Sequence, residues 1–158
     1  GIILKLPVIG KLAHKAIIAR FARTLATLLR SGVPLLHSLE TAAKVAGNTV
    51  AAGEITAARE NIKAGQRMSP VFNKGNLFSP MALSMIAVGE ESGALDSLME
   101  KLAQFYEREV EASVARLSGV AEPLMIAGVG LMVAFIALAI YMPLFGISAA
   151  IQSGSGMP

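Results

Sequence analysis

The pattern of apolar and polar residues divides the chain into helical stretches that end at glycine or proline. In the first stretch apolar side chains recur every three or four residues, as on one face of an α-helix, while Arg23 and Arg30 fall on the polar face. Ser31 and Gly32 end this stretch. No segment shows the alternation of β-branched and polar residues that is typical of strands. The pattern therefore predicts an all-α domain.

Capping residues and helix breakers predict the bounds of the next four helices. A proline suits the first turn of a helix, because the N–H that it lacks would have no partner there, and a glycine favours the helix end. Serine or asparagine just before a helix supplies a side-chain cap. In chain order these residues are Pro34, Gly47, Asn48, Gly65, the pairs Ser69-Pro70 and Ser79-Pro80, and Gly93. The Ser69-Pro70 pair is expected to open only a short turn.

A sixth helix is predicted after Gly93, and it differs from the others in length. Its apolar stripe runs from Leu95 to Leu117, with Glu100 and Glu107 on the opposite, polar face. Residues 124–151 follow without a charged side chain, and about 20 such residues span a bilayer. We expect one long helix that passes through Pro123 and enters a membrane, since proline is tolerated there as a kink.

The charges that flank this apolar run predict its orientation. Lys and Arg concentrate on the cytoplasmic side of a membrane segment, and here they occur only before the run. Residues 15–118 are therefore expected to form a cytoplasmic bundle of about six helices, residues 119–147 a single transmembrane helix, and residues 148–158 a short non-cytoplasmic tail.

Composition agrees with a membrane-bound domain and excludes several classes of protein. Apolar residues make up 54% of the chain and charged residues 16%, and there is no cysteine. Disulfides and thiolate chemistry are thereby excluded. The net charge of +3 comes from scattered single residues, which suits weak attraction to anionic lipid better than nucleic-acid binding. A helix-turn-helix at Ser31 to Pro34 is also rejected, because the helix that follows begins with apolar residues.

Residues that carry enzyme chemistry are few. The two histidines, His14 and His37, lie on separate predicted helices with no second ligand at metal spacing, so a zinc site is discarded. No GxxxxGK[ST] or GxGxxG loop is present to cradle a phosphate. We expect no catalytic residue, no cofactor and no metal.

The most concentrated polar feature is the segment Gly89-Glu90-Glu91-Ser92-Gly93, with Asp96 close behind. The favoured interpretation is a tight turn between two helices, in which glycine takes a positive φ, Ser92 caps the next helix and Asp96 favours its N-terminal end. Adjacent carboxylates on a helix do not face each other, so a proton-sharing pair is not expected. Two alternatives stay open: a membrane-tethered enzyme that uses Glu90, Glu91 and Asp96, and a hard cation bound by them.

The order of these motifs resembles the type II secretion F family, the polytopic inner-membrane platform proteins of type IV pilus and type II secretion machines. The resemblance covers nearly the whole chain. Its motifs are Leu6 to Gly10, Ala19 to Leu25, Ser31 to Leu35, Asn48, Gly65, Phe78 to Met81, Val88 to Asp96, Tyr106 to Val110, Glu122 to Leu124 and Tyr141 to Phe145. The residues expected to serve as structural or partner motifs are Gly89, Glu90, Glu91, Ser92, Gly93, Asp96, Gly32, Pro34, Glu122, Pro123, Tyr141 and Pro143.

The resemblance implies a function as well as a fold. Members of the family carry this helical domain twice, so the chain is similar to the second half, and residues 1–14 would lead in from a preceding membrane span. The amino-acid sequence of the segment around Glu90 is closer to that of the pilus branch, with the secretion branch as the alternative. The family implies a non-enzymatic scaffold in the bacterial inner membrane. Its implied partners are a hexameric ATPase, pilin or pseudopilin subunits, other inner-membrane machine proteins, the lipid bilayer and further copies of itself.

A channel or transporter subunit is a further rival. The predicted span holds no ionisable residue in its interior to mark a pathway, which disfavours that class.

Overall fold

The computed structural model describes residues 7–154, and within this range it contains six α-helices and no strand. The helices are α1 Pro7–Arg30, α2 Leu35–Val45, α3 Thr49–Lys63, α4 Met68–Asn73, α5 Pro80–Ser92 and α6 Leu95–Gly154. The prediction of an all-α fold with about six helices is confirmed. The chain divides into two compact units, one up to Ser113 and the other from Val114 onward.

Three phenylalanine rings form the centre of the first unit. Phe21 of α1 is fully buried, and its ring meets those of Phe72 and Phe78 at centroid distances of 5.7 and 5.1 Å. Phe72 and Phe78 lie 4.8 Å apart, and all three contacts are edge-to-face, the arrangement that aromatic quadrupoles favour. Buried aliphatic residues of α1 and of the other helices belong to the same core. They are Ile18, Leu25, Leu39, Ile55, Ile86, Met99 and Leu102.

The predicted caps of α3 and α5 are confirmed. The side chain of Asn48 accepts hydrogen bonds from the backbone N–H groups of Val50 and Ala51, at 2.8 and 3.2 Å. The Ser79 hydroxyl accepts the N–H of Ala82 at 3.3 Å, and Pro80 follows it as the first helical residue. These two short-range signals locate the helix starts because each one satisfies backbone donors that the helix itself leaves unpaired.

Two predicted starts are shifted. Pro34 precedes α2 with an extended ψ of 145°, and the helix begins at Leu35. The predicted start, with Ser69 as the cap and Pro70 as the first helical residue, was wrong by two residues: α4 begins at Met68, and the Ser69 side chain does not cap it. The cause is a distant residue, since a glutamate from α5 occupies the end of α4 where a serine cap would act.

The long helix α6 contributes to both units. In the first unit it buries Met99, Leu102, Ala103 and Tyr106. The second unit consists of the rest of the helix, which contains Pro123 and Pro143 and whose apolar side chains are exposed. Its most apolar 18-residue window has a mean hydropathy of 2.5, so the helix is long and apolar enough to cross a membrane. The predicted continuous helix through Pro123 is confirmed.

Candidate functional site

The segment from Gly89 to Gly93 forms the end of α5 and the turn into α6. Gly93 has a φ of +68°, and the N–H groups of Gly93 and Ala94 both donate to the Gly89 carbonyl. A side chain at Gly89 would place its Cβ 3.0 Å from the Cα of Leu95, so α6 approaches α5 there at backbone distance. Glycine at these two positions therefore allows the close turn that the sequence predicts.

Glu90 caps the N-terminus of the neighbouring helix α4. Its carboxylate accepts the backbone N–H groups of Met68 and Ser69, at 2.5 and 3.1 Å, and the residue is half-buried. A carboxylate at this place satisfies two unpaired donors and opposes the positive end of the helix dipole. The hydroxyl of Ser69 turns away and donates to the Leu83 carbonyl at 3.2 Å. Glu90 therefore ties α4 to α5.

The other polar residues of the segment point elsewhere. Glu91 is exposed and lies 3.6 Å from Arg67, and Asp96 lies in the first turn of α6. The predicted capping of α6 by Ser92 was wrong, because its hydroxyl donates to the Val88 carbonyl one turn back, at 2.7 Å. Glu90 and Glu91 thus serve different partners.

No group of three His, Asp or Glu residues within residues 7–154 has the spacing of a metal site. His14 and His37 are both exposed and lie on α1 and α2. His37 has its Nδ1 atom 4.0 Å from a carboxylate oxygen of Glu40.

A cluster that the sequence analysis missed connects α1 to α6. Arg23 donates to both carboxylate oxygens of Glu107, at 2.9 and 2.8 Å, and to Glu100 at 2.6 Å. Arg30 lies 3.4 Å from the second oxygen of Glu100. The bidentate geometry makes this the strongest type of side-chain ion pair. We name these four residues the Arg23 cluster.

Charge and hydrogen bonding in the Arg23 cluster shift the acidity of its members. The hydrogen bond from Arg23 lowers the pKa of Glu107 and the pKa of Glu100 below their ordinary value near 4.5, although partial desolvation opposes the change. The two carboxylates raise the pKa of Arg23 in turn. A signal for this cluster exists in the sequence, since Arg23 and Arg30 are seven residues apart and so are Glu100 and Glu107. Residues seven apart share one face of a helix.

The remaining motif residues belong to neither feature. Gly32 and Pro34 form the turn between α1 and α2, where the Val33 N–H donates to the Leu28 carbonyl at 3.0 Å. Four others lie within the second unit, all of them in α6. They are Glu122, Pro123, Tyr141 and Pro143. The partner role of all these residues stays a prediction.

Comparison with known families shows which family shares this sequence. The family described as type II secretion system (T2SS), protein F, matches residues 21–143, which include most of the first unit and the apolar part of α6. The chain belongs to this family. The family name thus applies to the helical unit with its turn around Glu90 and to the apolar helix together.

Relatives in the family include pilus and secretion proteins. The chain is 44% identical over 145 residues to the type IV pilus assembly protein PilC of Thermus thermophilus, covering 91% of this chain and 36% of the relative. It is 36% identical over 143 residues to PilC of Pseudomonas aeruginosa, covering 90% and 38%. The type II secretion system protein F of the same organism is 36% identical over 148 residues, covering 94% and 36%. The chain spans less than two fifths of each relative's length.

Loss of the Glu90 carboxylate is expected to loosen α4. Glu90→Ala leaves two backbone donors without a protein partner and should destabilise the α4 region by about 1–2 kcal/mol. Amide hydrogen exchange of the peptide that contains Met68 and Ser69 measures this change. Glu91→Ala is the matched control, because an exposed ion pair contributes at most about 1 kcal/mol. Equal exchange in the two variants would contradict the cap.

The Arg23 cluster predicts a pH dependence of stability. Carboxylates with a lowered pKa stabilise the fold above their ordinary pKa, and that contribution is lost as the pH falls through the lowered value. Arg23→Gln should therefore unfold at a lower temperature than the wild type at pH 7, and the difference should shrink as the pH falls below about 4.5. Thermal unfolding followed by proteolysis measures both. The control Lys63→Gln should show no such convergence, and a gap for Arg23→Gln that stays constant with pH would refute the cluster's role.

Proposed function

We propose that the chain forms part of a non-enzymatic inner-membrane platform for type IV pilus assembly. In this role it couples a hexameric ATPase in the cytoplasm to the insertion or extraction of pilin subunits. One observation carries the proposal: a single family match, at residues 21–143, includes most of the helical unit together with most of the apolar part of α6. The relatives named for type IV pilus assembly, among them those of Thermus thermophilus and Pseudomonas aeruginosa, favour the pilus branch.

The hydrogen bonds of the acidic residues within the first unit support a role as a scaffold. Glu90 holds α4, and Glu100 and Glu107 hold Arg23, so these carboxylates are already occupied by partners within the first unit. A general acid or base needs a carboxylate that faces a substrate space. The hydrogen bonds of Glu90 support a role in fold stability, and the exposed neighbours of Glu90 are the residues proposed for partner contact.

Membrane association has two supports. Helix α6 has the length and hydropathy of a membrane span, and the family's relatives are named for pilus and secretion machinery. We infer further that the first unit lies in the cytoplasm and residues 148–158 in the periplasm, because Lys and Arg precede the apolar run and residues 152–158 after it carry none.

The continuity of α6 suggests how the platform passes on motion. Its first turns pack in the core of the helical unit, and the same helix provides the apolar segment. A rotation or tilt imposed on the unit by an ATPase would reach the membrane through this helix without a flexible joint.

A flexible insertion in α6 tests the coupling. Four glycine and serine residues placed between Ser118 and Gly119 should abolish pili in the native host while protein levels stay normal, because the insertion breaks the helix between the two units. Pili counted by electron microscopy give the readout. The same insertion after Gly65, in the turn between α3 and α4, is the control and should leave pili in place. Normal pili with the α6 insertion would contradict the coupling.

Residue 153 tests the orientation. Ser153→Cys should react with a membrane-impermeant maleimide added outside the inner membrane, whereas Ser97→Cys, on an exposed position of α6 in the first unit, should react only after the membrane is opened. Residues 1–158 contain no other cysteine, and the unsubstituted protein serves as the control for any label elsewhere. Labelling of residue 153 from the cytoplasmic side alone would reverse the proposed topology.

A further inference from the structure

Helix α5 is apolar on every side over most of its length. Residues 80–89 contain a single polar side chain, that of Ser84. A helix of this kind is normally covered by protein all round. In the first unit, however, Met81 and Val88 keep 42% and 55% of their surface exposed. One side of α5 therefore lacks the cover that its sequence predicts.

The uncovered side of α5 lies opposite α4. Every third or fourth residue of α5 faces the core, and α4 packs on the flank that carries Leu83, whose carbonyl accepts the Ser69 hydroxyl at 3.2 Å. A second apolar stripe recurs at spacings of four and three residues on the opposite flank. It consists of Met81, Met85 and Val88.

Two contacts hold α6 alongside α5. Near the turn, the Cδ1 atom of Leu98 lies 3.4 Å from the position that a Cβ at Gly89 would take. At the other end of α5, the hydroxyls of Ser79 and Tyr106 are 2.8 Å apart. The two helices therefore lie side by side over the length of α5, and the second apolar stripe of α5 lies on their shared outer surface.

The part of α6 beside this stripe is basic and aromatic. Lys101, Phe105 and Arg108 recur at spacings of four and three residues, so they form one stripe on the helix. The ring of Phe105 packs edge-on against that of Tyr106, at a centroid distance of 5.3 Å, and Phe105 is still 43% exposed. We name the two stripes together the α5–α6 face. Its residues are Met81, Met85, Val88, Lys101, Phe105 and Arg108.

The two cations of the α5–α6 face have no acidic partner in the part of the chain that the structure describes. Lys101 and Arg108 are exposed, and neither forms an ion pair or a hydrogen bond within residues 7–154. The glutamates just before them, Glu100 and Glu107, are bound to Arg23 of α1. An occupant with acidic groups opposite Lys101 and Arg108 would therefore be complementary in charge.

These charges distinguish between the possible occupants. A second copy of the chain in a two-fold contact would bring the same cations to both sides, and like charges across an interface are unfavourable. An anionic lipid surface would attract the cations, but it would also meet the exposed carboxylates of Glu91 and Glu111 at the two ends of the face. An amphipathic helix avoids both conflicts, because it can place acids opposite Lys101 and Arg108 alone.

We propose that the α5–α6 face binds an acidic amphipathic helix of a partner protein. The apolar side chains of that helix pack on Phe105 and on the two methionines, whose flexible thioether chains adapt to a partner surface. Two acids spaced seven residues apart pair with Lys101 and Arg108 and set the direction of the helix. The proposal applies equally to a pilus and to a secretion machine, so it does not rest on the proposed function.

Site-specific crosslinking of the full-length protein in its native host tests the surface. The photoreactive amino acid p-benzoylphenylalanine replaces Val88, and mass spectrometry after irradiation identifies the crosslinked peptide. We expect a segment of another protein with an apolar stripe and two acids seven residues apart. The same photoreactive residue at Thr56, exposed on α3, is the control and should not reach that segment.

Charge reversal tests the ion pairs. Lys101→Glu together with Arg108→Glu should lower the crosslink yield at least about fivefold, because two attractions become repulsions. Replacing the two acids of the crosslinked segment by lysine should then restore the yield. Lys63→Glu together with Lys74→Glu is the matched control, since it reverses two exposed cations on other parts of the first unit, and it should leave the yield unchanged.

Several results would overturn the proposal. They are a crosslink only to another copy of the chain, a crosslink only to lipid, no crosslink, and a partner segment without the two acids. A yield that the reversal of Lys101 and Arg108 leaves unchanged would overturn it as well. Restoration by the exchanged charges separates a lost contact from a lost fold. Pili are not part of this readout, so its failure leaves the platform proposal standing.

Discussion

The attachment of α6 to α1 is the constraint on which the rest of the first unit depends. Met99, Leu102 and Tyr106 of α6 are buried in the same hydrophobic core as the apolar face of α1, and apolar burial stabilises in proportion to the area removed from water. Apolar burial is non-directional, so by itself it would not fix the register of α6 along α1. The bidentate pairing of Arg23 with Glu107 adds direction, and the matching seven-residue spacing in both helices fixes the register. Net stabilisation by such partly exposed pairs is small, so their main contribution is specificity.

The turn around Glu90 connects three further helix ends in the first unit. Gly89 allows α5 and α6 to approach at backbone distance, and Gly93 reverses the chain between them. Glu90 then reaches the start of α4, a helix of six residues that is too short to be stable alone. A motif that reads as a concentration of acidic chemistry therefore acts mainly in assembling three helices. Glu91, Ser92 and Gly93 are exposed on the same turn.

Sequence reasoning predicted the parts of the fold that depend on local signals. The caps Asn48 and Ser79 and the long apolar run were predictable because each signal lies within a few residues of its effect. The start of α4 was not, since its cap comes from a residue 22 positions away in the chain. The Arg23 cluster was missed for a related reason: periodicity identifies a polar face but does not reveal which other helix covers it.

The central claim is that one uninterrupted helix joins the folded unit to the apolar segment, and amide hydrogen exchange of the full-length protein in lipid nanodiscs tests it most directly. The segment from residue 112 to residue 122 lies between the last buried side chain of α6 and Pro123. We predict helical protection at every amide of this segment, with rates well below those of an unstructured peptide. Exchange at unstructured rates anywhere within it would contradict the claim, because the domain would then be tethered to the apolar helix by a flexible linker.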